Sequence, residues 1–275
     1  MSTVSGPVLV TGAAGLIGGW LRGGLPERGW ALRSLDVVPV PEPRPGEEHL
    51  VADVTDLPAM VAAATGAAAV VHLAGISGES TWPAISHANI EGTYCALEAA
   101  RRAGVQRVVL AGSNHATGYT PRPGQGLLTE ADAPPRPDTY YGVAKAALEA
   151  LGSLYADRYG MDVVCLRIGS AVPEPTTLRH LATWLSPTDT VGLVDAALTA
   201  PSPGSAVVWG VSDNTRRWWD LTAAEALGYR SVDDAEFHAA ALIAAHGEPD
   251  PADPVHSRVG GEYATAAFDA PADDQ

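Results

Sequence analysis

Residues 8–18 read VLVTGAAGLIG: a short apolar run, then Gly12, Gly15 and Gly18 at the head of a helical stretch. On a strand–turn–helix unit each glycine has a task. Gly12 permits the tight turn, Gly15 lets backbone approach a pyrophosphate, and Gly18 allows close helix–strand contact. The helix N-terminus adds amide donors and the positive end of its dipole. The spacing is GxxGxxG rather than GxGxxG, so the surroundings must support the reading. They do. The next apolar run, ALRSLD (31–36), ends at Asp36, whose carboxylate can accept hydrogen bonds from both hydroxyls of an adenosine ribose. It would repel a 2'-phosphate, and no basic residue follows in VVPVPEP before Arg44. NAD is therefore predicted over NADP.

Working outward, HLVAD (49–53), AVVHLAG (69–75), RVVLAGS (107–113) and DVVCLRIG (162–169) read as further buried parallel strands. Segments 15–24, 56–64, 85–103 and 139–159 read as the helices between them. In NIEGTYCALEAARRAG the pattern predicts one apolar face of Ile90, Tyr94, Leu97 and Ala100, with Gly104 as the stop. Repeated strand–helix–strand units give an α/β fold, a doubly wound Rossmann-type parallel sheet with right-handed crossovers. Residues 1–170 are expected to form the dinucleotide-binding domain and 171–275 a small C-terminal capping region on the same core. Within the latter, helices are predicted near 177–185, 189–200 and 233–246, with a strand at 206–211. The Pro-rich stretches 37–46 and 121–137 are loops, and the tail from Pro249 is expected to be partly extended or disordered.

Ligands of such sheets bind at the carboxyl ends of the strands. Leu16, Ile17, Val37, Val54, Leu73, Ala74, Gly75 and Ile76 occupy those ends and the first helical turn, and are expected to line the cofactor crevice. Asp53 is placed either to approach the adenine or to cap the next helix.

The chemistry centres on Tyr141-Gly-Val-Ala-Lys145. On a helix these two side chains share a face, and an ammonium beside a phenol favours phenolate, making it a usable acid/base. Lys145 is the only lysine among 17 basic residues; the rest are Arg. Tyr140 has no cation four residues on, so Tyr141 is preferred.

Composition narrows the partners. Thirty-two acidic against 17 basic residues give a net charge of -15, which disfavours nucleic acid and anionic membrane surfaces. Cys95 and Cys165 sit in apolar contexts with no disulfide pattern, and the eight histidines show no metal-ligand spacing. The opening residues lack the regions of a secretory signal, and no apolar run approaches the ~20 residues that span a bilayer. A cytoplasmic protein, self-associating as a homo-oligomer and needing no metal, is expected.

TGAAGLIG, the strand-end Asp36, HLAG, Asn89, the serine after the fifth strand and YGVAK together resemble the extended short-chain dehydrogenase/reductases over residues 7 to about 170. A narrower resemblance, to the uronate dehydrogenase family, rests on GSNHATGY (112–119), RPDTYYGVAK (136–145), LRIGSAVPEPTTLRHLATWLS (166–186), VVWGVSDNTRRWWD (207–220) and VGGEY (259–263). Members of that family oxidise the anomeric carbon of a hexuronic acid with NAD, giving an aldarolactone. The resemblance implies that Ser113 hydrogen-bonds the reacting hydroxyl beside Tyr141, with Asn114 and His115 completing the wall around the sugar. It further implies that Ser77 and Ser170 contact sugar hydroxyls, that Arg179 grips the C6 carboxylate, and that Asn89 and Ala171 lie by the cofactor. Ala171 stands where the family often has cysteine, and Leu16 where glutamine is common. Taken singly, Ser113 is equally a strand-end hydroxyl, His115 a structural histidine and Arg179 a surface arginine. Nucleotide-sugar epimerases and dehydratases of the same superfamily are the nearest rival; a non-catalytic NAD sensor would have no use for the Tyr–Lys pair.

Overall fold

The computed structural model describes residues 6–265. Alternating strands and helices run β1 (Val8–Thr11), α1 (Leu16–Gly24), β2 (Leu32–Asp36), β3 (Glu48–Val51), α2 (Leu57–Ala64) and β4 (Ala69–His72). They continue as α3 (Gly92–Ala103), β5 (Arg107–Ser113), α4 (Tyr140–Tyr159), β6 (Asp162–Ile168), α5 (Pro187–Thr199) and β7 (Ser205–Gly210). The strands form one seven-stranded sheet in the order β3-β2-β1-β4-β5-β6-β7, every pair parallel. The order reverses between β1 and β4, and a crevice opens there at the carboxyl ends.

Strand residues alternate between two cores, as the pleat requires. Val8, Val10, Val109, Leu166 and Val208 join Leu21, Val191 and Leu193 on the face covered by α1 and α5. Leu9, Val108, Leu110, Val163 and Cys165 join Met60, Leu97 and Leu148 under α2, α3 and α4. Cys95 and Cys165 are buried free thiols. Helix ends follow side-chain chemistry. Asp56 caps α2 through the Ala59 N–H at 3.0 Å, Thr139 caps α4 through Gly142 and Ser186 caps α5 through Asp189. Gly104 and Gly160, at φ 74° and 69°, end α3 and α4 in the left-handed region.

Four expectations need correction. The strand foreseen at 49–53 is not buried: Glu48–Val51 is the edge strand of the sheet and is exposed along its length. Tyr94 is not on the buried face of α3; it is 41% exposed, while Thr93, Cys95 and Ala96 are buried. A π-helical segment, Ser86–Glu91, precedes α3, and its wider turn shifts the phase that simple periodicity assumes. The helix foreseen near 177–185 is one turn, His180–Thr183, after which Trp184–Leu185 pairs in parallel with Ser170–Ala171. The tail from Pro249 is not disordered as far as it is described, to Thr265: Pro254–Ser257 is helical and Arg258 bridges Pro121. The expectation for the last residues, 266–275, lies outside the described residues. A short helix at Thr222–Ala226 also escaped the pattern. Among the described residues no helix is long and apolar enough to cross a membrane.

Candidate active site

The carboxyl edge of β1, β2 and β4–β6 surrounds a cleft of about 610 Å³. Its floor is the glycine turn. Gly12 has φ 71°, and a Cβ there would stand 2.7 Å from the Ala74 nitrogen, so the turn lies directly on the end of β4. A Cβ on Gly18 would stand 2.4 Å from the Gly12 carbonyl and 2.7 Å from Ala13 Cα. The close approach that requires Gly18 is thus between α1 and the turn itself, rather than between α1 and a strand. Gly15 is the extended residue that opens α1.

Asp36 anchors the adjoining wall. One oxygen accepts from the Ala14 N–H at 3.0 Å, and the other faces the Val38 N–H at 3.4 Å. Asp53 is not the cap of α2, since Asp56 fills that position. Asp53 lines the cleft, its carboxylate held by the Thr55 N–H and hydroxyl at 2.9 and 2.8 Å, contacts that lower its pKa. Leu16, Ile17, Val37, Val54, Leu73, Ala74, Gly75, Ile76 and Ala171 line the cleft too. A turn framed by Gly12 and Gly15 at a helix N-terminus, beside a strand-end carboxylate, fits a dinucleotide. Asn89 is not part of the lining. It is buried, and its amide exchanges two hydrogen bonds with Ile76, at 2.8 and 2.9 Å, which fix the loop after β4.

At the inner end stand Tyr141, Lys145 and Ser113, all in the lining. Ser113 hydrogen-bonds the Tyr141 phenol and accepts from the His115 N–H at 3.2 Å. Lys145 Nζ donates to the Ala111 carbonyl at 2.6 Å and lies 5.4 Å from the centre of the Tyr141 ring. Burial pushes the phenol up to about 12 despite the Ser113 bond, and pushes the ammonium down to about 8. The lowered phenol pKa expected from sequence is therefore not a property of the free chain. Desolvation outweighs the Ser113 bond, and the Lys145 ammonium gives its hydrogen bond to a carbonyl.

The remaining expected sugar contacts divide. Ser77 is exposed on the cleft wall. Asn114, His115, Ser170 and Arg179 lie outside the lining. Asn114 Nδ2 donates to the Val259 carbonyl at 2.7 Å, and Ser170 shares a 2.7 Å bond with Thr183 Oγ1. His115 Nδ1 pairs with the buried Asp138 carboxylate at 2.7 Å, its ring against Tyr263 at 4.5 Å and Tyr141 at 5.7 Å. Arg179 donates to the carbonyls of Val255, Arg258 and Val259 and lies over Trp218; burial pushes its pKa down to about 10. Trp218 and Trp219 are buried packing, with Trp219 stacked on Trp209 at 5.2 Å.

Sequence reasoning missed His87, Ala88, Ala111, Gly112, Ile168 and Gly169 in the lining. The last four are at or next to the carboxyl ends of β5 and β6, where the edge rule could have found them.

A dinucleotide cradle joined to a Tyr–Lys–Ser group at the same sheet edge defines a short-chain dehydrogenase/reductase. The model for the NAD dependent epimerase/dehydratase family matches residues 8–220, and the chain belongs to that family. Among curated proteins it is similar to uronate dehydrogenase of Pseudomonas putida, 41% identical over 94% of this chain and 96% of the relative. Among solved structures it is similar to uronate dehydrogenase from Agrobacterium tumefaciens, with TM-score 0.88 and 39% identity over 95% of this chain and 97% of that one. A tyrosine-to-alanine mutant of that enzyme, complexed with NAD, superposes with TM-score 0.87 and 39% identity, covering 94% and 97% of the two chains.

Proposed function

We propose that this protein oxidises the C1 hydroxyl of a hexuronic acid, galacturonate or glucuronate, to the aldarolactone with NAD. The observation that carries the reading is Tyr141 hydrogen-bonded to Ser113 and flanked by Lys145 at the inner end of the dinucleotide cleft. The likeness to uronate dehydrogenases over nearly the whole chain supplies the substrate class.

Gly15 and the amides that open α1 would carry the pyrophosphate, on a turn that Gly12 and Gly18 allow, and Asp36 the adenosine ribose. NAD bound there supplies the hydride acceptor for C1. Ser113 orients the C1 hydroxyl, and the Tyr141 oxygen takes its proton as hydride leaves the same carbon. Lys145 would stabilise the phenolate and would hold the nicotinamide ribose. Ser77, Asn114, His115 and Ser170 are assigned to the sugar hydroxyls. Arg179, whose hydrogen-bond partners here are carbonyls, is assigned to the C6 carboxylate, for which a planar fork is suited. After residue 170, α5 and β7 complete the sheet and its cover, and the described segments 171–186 and 211–265 are assigned to capping the substrate. A cytoplasmic location accords with the two free thiols, and self-association is part of the same reading.

A nucleotide-sugar epimerase or dehydratase would need a lobe for the diphosphate. The region after residue 171 is short and offers only five arginines, of which Arg216 and Arg217 already pair with Glu236 and Asp213. The test is NADH absorbance with NAD or NADP against galacturonate, glucuronate, neutral hexoses and nucleotide sugars. Turnover confined to the uronates supports the reading, and turnover only of nucleotide sugars overturns it.

A further inference from the structure

The first turn of α4 presents backbone N–H groups that no earlier turn can satisfy. Thr139 Oγ1 accepts from Gly142 at 3.1 Å, as a local cap does. The N–H groups of Tyr140 and Tyr141 go elsewhere. They donate to the two carboxylate oxygens of Glu79, at 3.1 and 2.8 Å, across about sixty residues of sequence. One side chain from a distant loop therefore grips the backbone of the residue whose phenol moves the proton.

That loop is the cleft wall after β4. At one end Asn89 holds Ile76 by two hydrogen bonds. In the middle Gly78 lies beneath Tyr263, where a Cβ would stand 3.2 Å from the phenol oxygen. At the far end is Glu79. Between the fastenings, Ser77 faces the cleft. Ser77 and Tyr141 thus belong to one braced unit, though they lie on separate elements.

We propose that Glu79 is a positioning residue: by bridging the loop of Ser77 to the first turn of α4 it fixes the Tyr141 phenol relative to the reacting carbon. The proposal rests on the function given above. A hydroxyl proton passes efficiently only within a narrow range of distance and angle, and small misplacements cost rate rather than affinity. Glu79 is not a catalytic residue, since its oxygens are occupied by the two amides. A carboxylate suits the place because it offers an acceptor to each amide and carries charge favourable to a helix N-terminus.

The test measures kcat, the KM for NAD and the deuterium isotope effect with C1-deuterated galacturonate, in the parent enzyme, Glu79→Ala and Glu79→Gln. Thermal unfolding and NADH titration monitor the fold. Glu79→Ala should lower kcat by about tenfold or more and enlarge the isotope effect as chemistry becomes limiting, with the NAD KM within about threefold of the parent. Gln, which keeps one acceptor oxygen but turns an N–H group toward the other amide, should recover part of the rate. If Glu79→Ala does not fold, Glu79→Gln alone decides, since it keeps the acceptor to one amide and loses it to the other. Parental kcat and isotope effect in folded variants, even with lowered unfolding temperature, would overturn the proposal and leave Glu79 as a helix cap. A parent enzyme that oxidises no uronate would instead overturn the function on which the proposal rests.

Discussion

Lys145 stands one helical turn beyond Tyr141, its Nζ 5.4 Å from the phenol ring centre and 2.6 Å from the Ala111 carbonyl oxygen. Burial acts on the two groups in opposite directions, holding the ammonium down at about 8 and the phenol up at about 12. On the proposed mechanism, the productive pair carries one proton fewer than the fully protonated pair. It accumulates as the first proton leaves and persists until the second does.

The sign of the pH dependence follows. Uronate kcat/KM should rise with pH through about 8 and level roughly a unit above it, because the first proton is half lost at about 8 while the second is held to about 12. Lys145→Met removes the lower step, so its residual activity should continue to climb beyond pH ~10. Profiles of log kcat/KM for the two proteins check this. Coincident profiles would remove Lys145 from the titrating pair.

Tyr141→Phe keeps the ring between Ser113 and Lys145 and removes only the oxygen. NADH affinity by fluorescence titration should stay close to that of the parent. Turnover should fall by about 10²-fold or more, the scale of positioned acid/base catalysis. Unchanged turnover would mean that another group takes the proton.

We assign the choice of cofactor to Asp36. The parent should prefer NAD over NADP by at least about tenfold in kcat/KM, about 1.4 kcal/mol. Asp36→Ala should narrow the ratio chiefly by weakening NAD, and it also frees the Ala14 N–H that Asp36 accepts. Steady-state kinetics with both cofactors decide, and equal use by the parent would refute the assignment.

Arg179, proposed to hold the C6 carboxylate, donates in this structure to the carbonyls of Val255, Arg258 and Val259. Arg179→Ala should lower the unfolding temperature by freeing that segment. It should also cut galacturonate kcat/KM by about 2–4 kcal/mol, the scale of losing a hydrogen-bonded charge partner. Galactose, without the carboxylate, should be turned over almost as poorly by the variant as by the parent. Arg179→Lys should recover only part of the loss. If acid and neutral sugar decline in parallel, Arg179 acts only by fastening the C-terminal segment.

The residues legible in the sequence are those whose chemistry is local. Gly12, Gly15 and Gly18 answer to one turn and one helix start, and Tyr141 and Lys145 to one helix face, so spacing suffices to place them. Asp36 is marked by ending its strand. Glu79 and Asn89 carry no such mark, because their partners at α4 and Ile76 are set by the packing of separate elements. Tyr263 meets His115 only because residues 254–265 return to the site, where composition suggested a loose tail. Tyr94 misled the helical pattern because a π turn lies upstream of it. The phenol pKa reads wrongly from the Tyr–Lys spacing alone, since burial enters only with the fold.

The most direct test of the central claim follows the hydrogen itself. The enzyme is given galacturonate or glucuronate deuterated at C1, with unlabelled NAD, and the reduced cofactor is analysed by mass spectrometry. Oxidation at C1 by direct hydride transfer predicts that the NADH formed carries the deuterium, and that Tyr141→Phe forms far less of it. Reduced cofactor without the label, or no reduction with either uronate, would contradict the account.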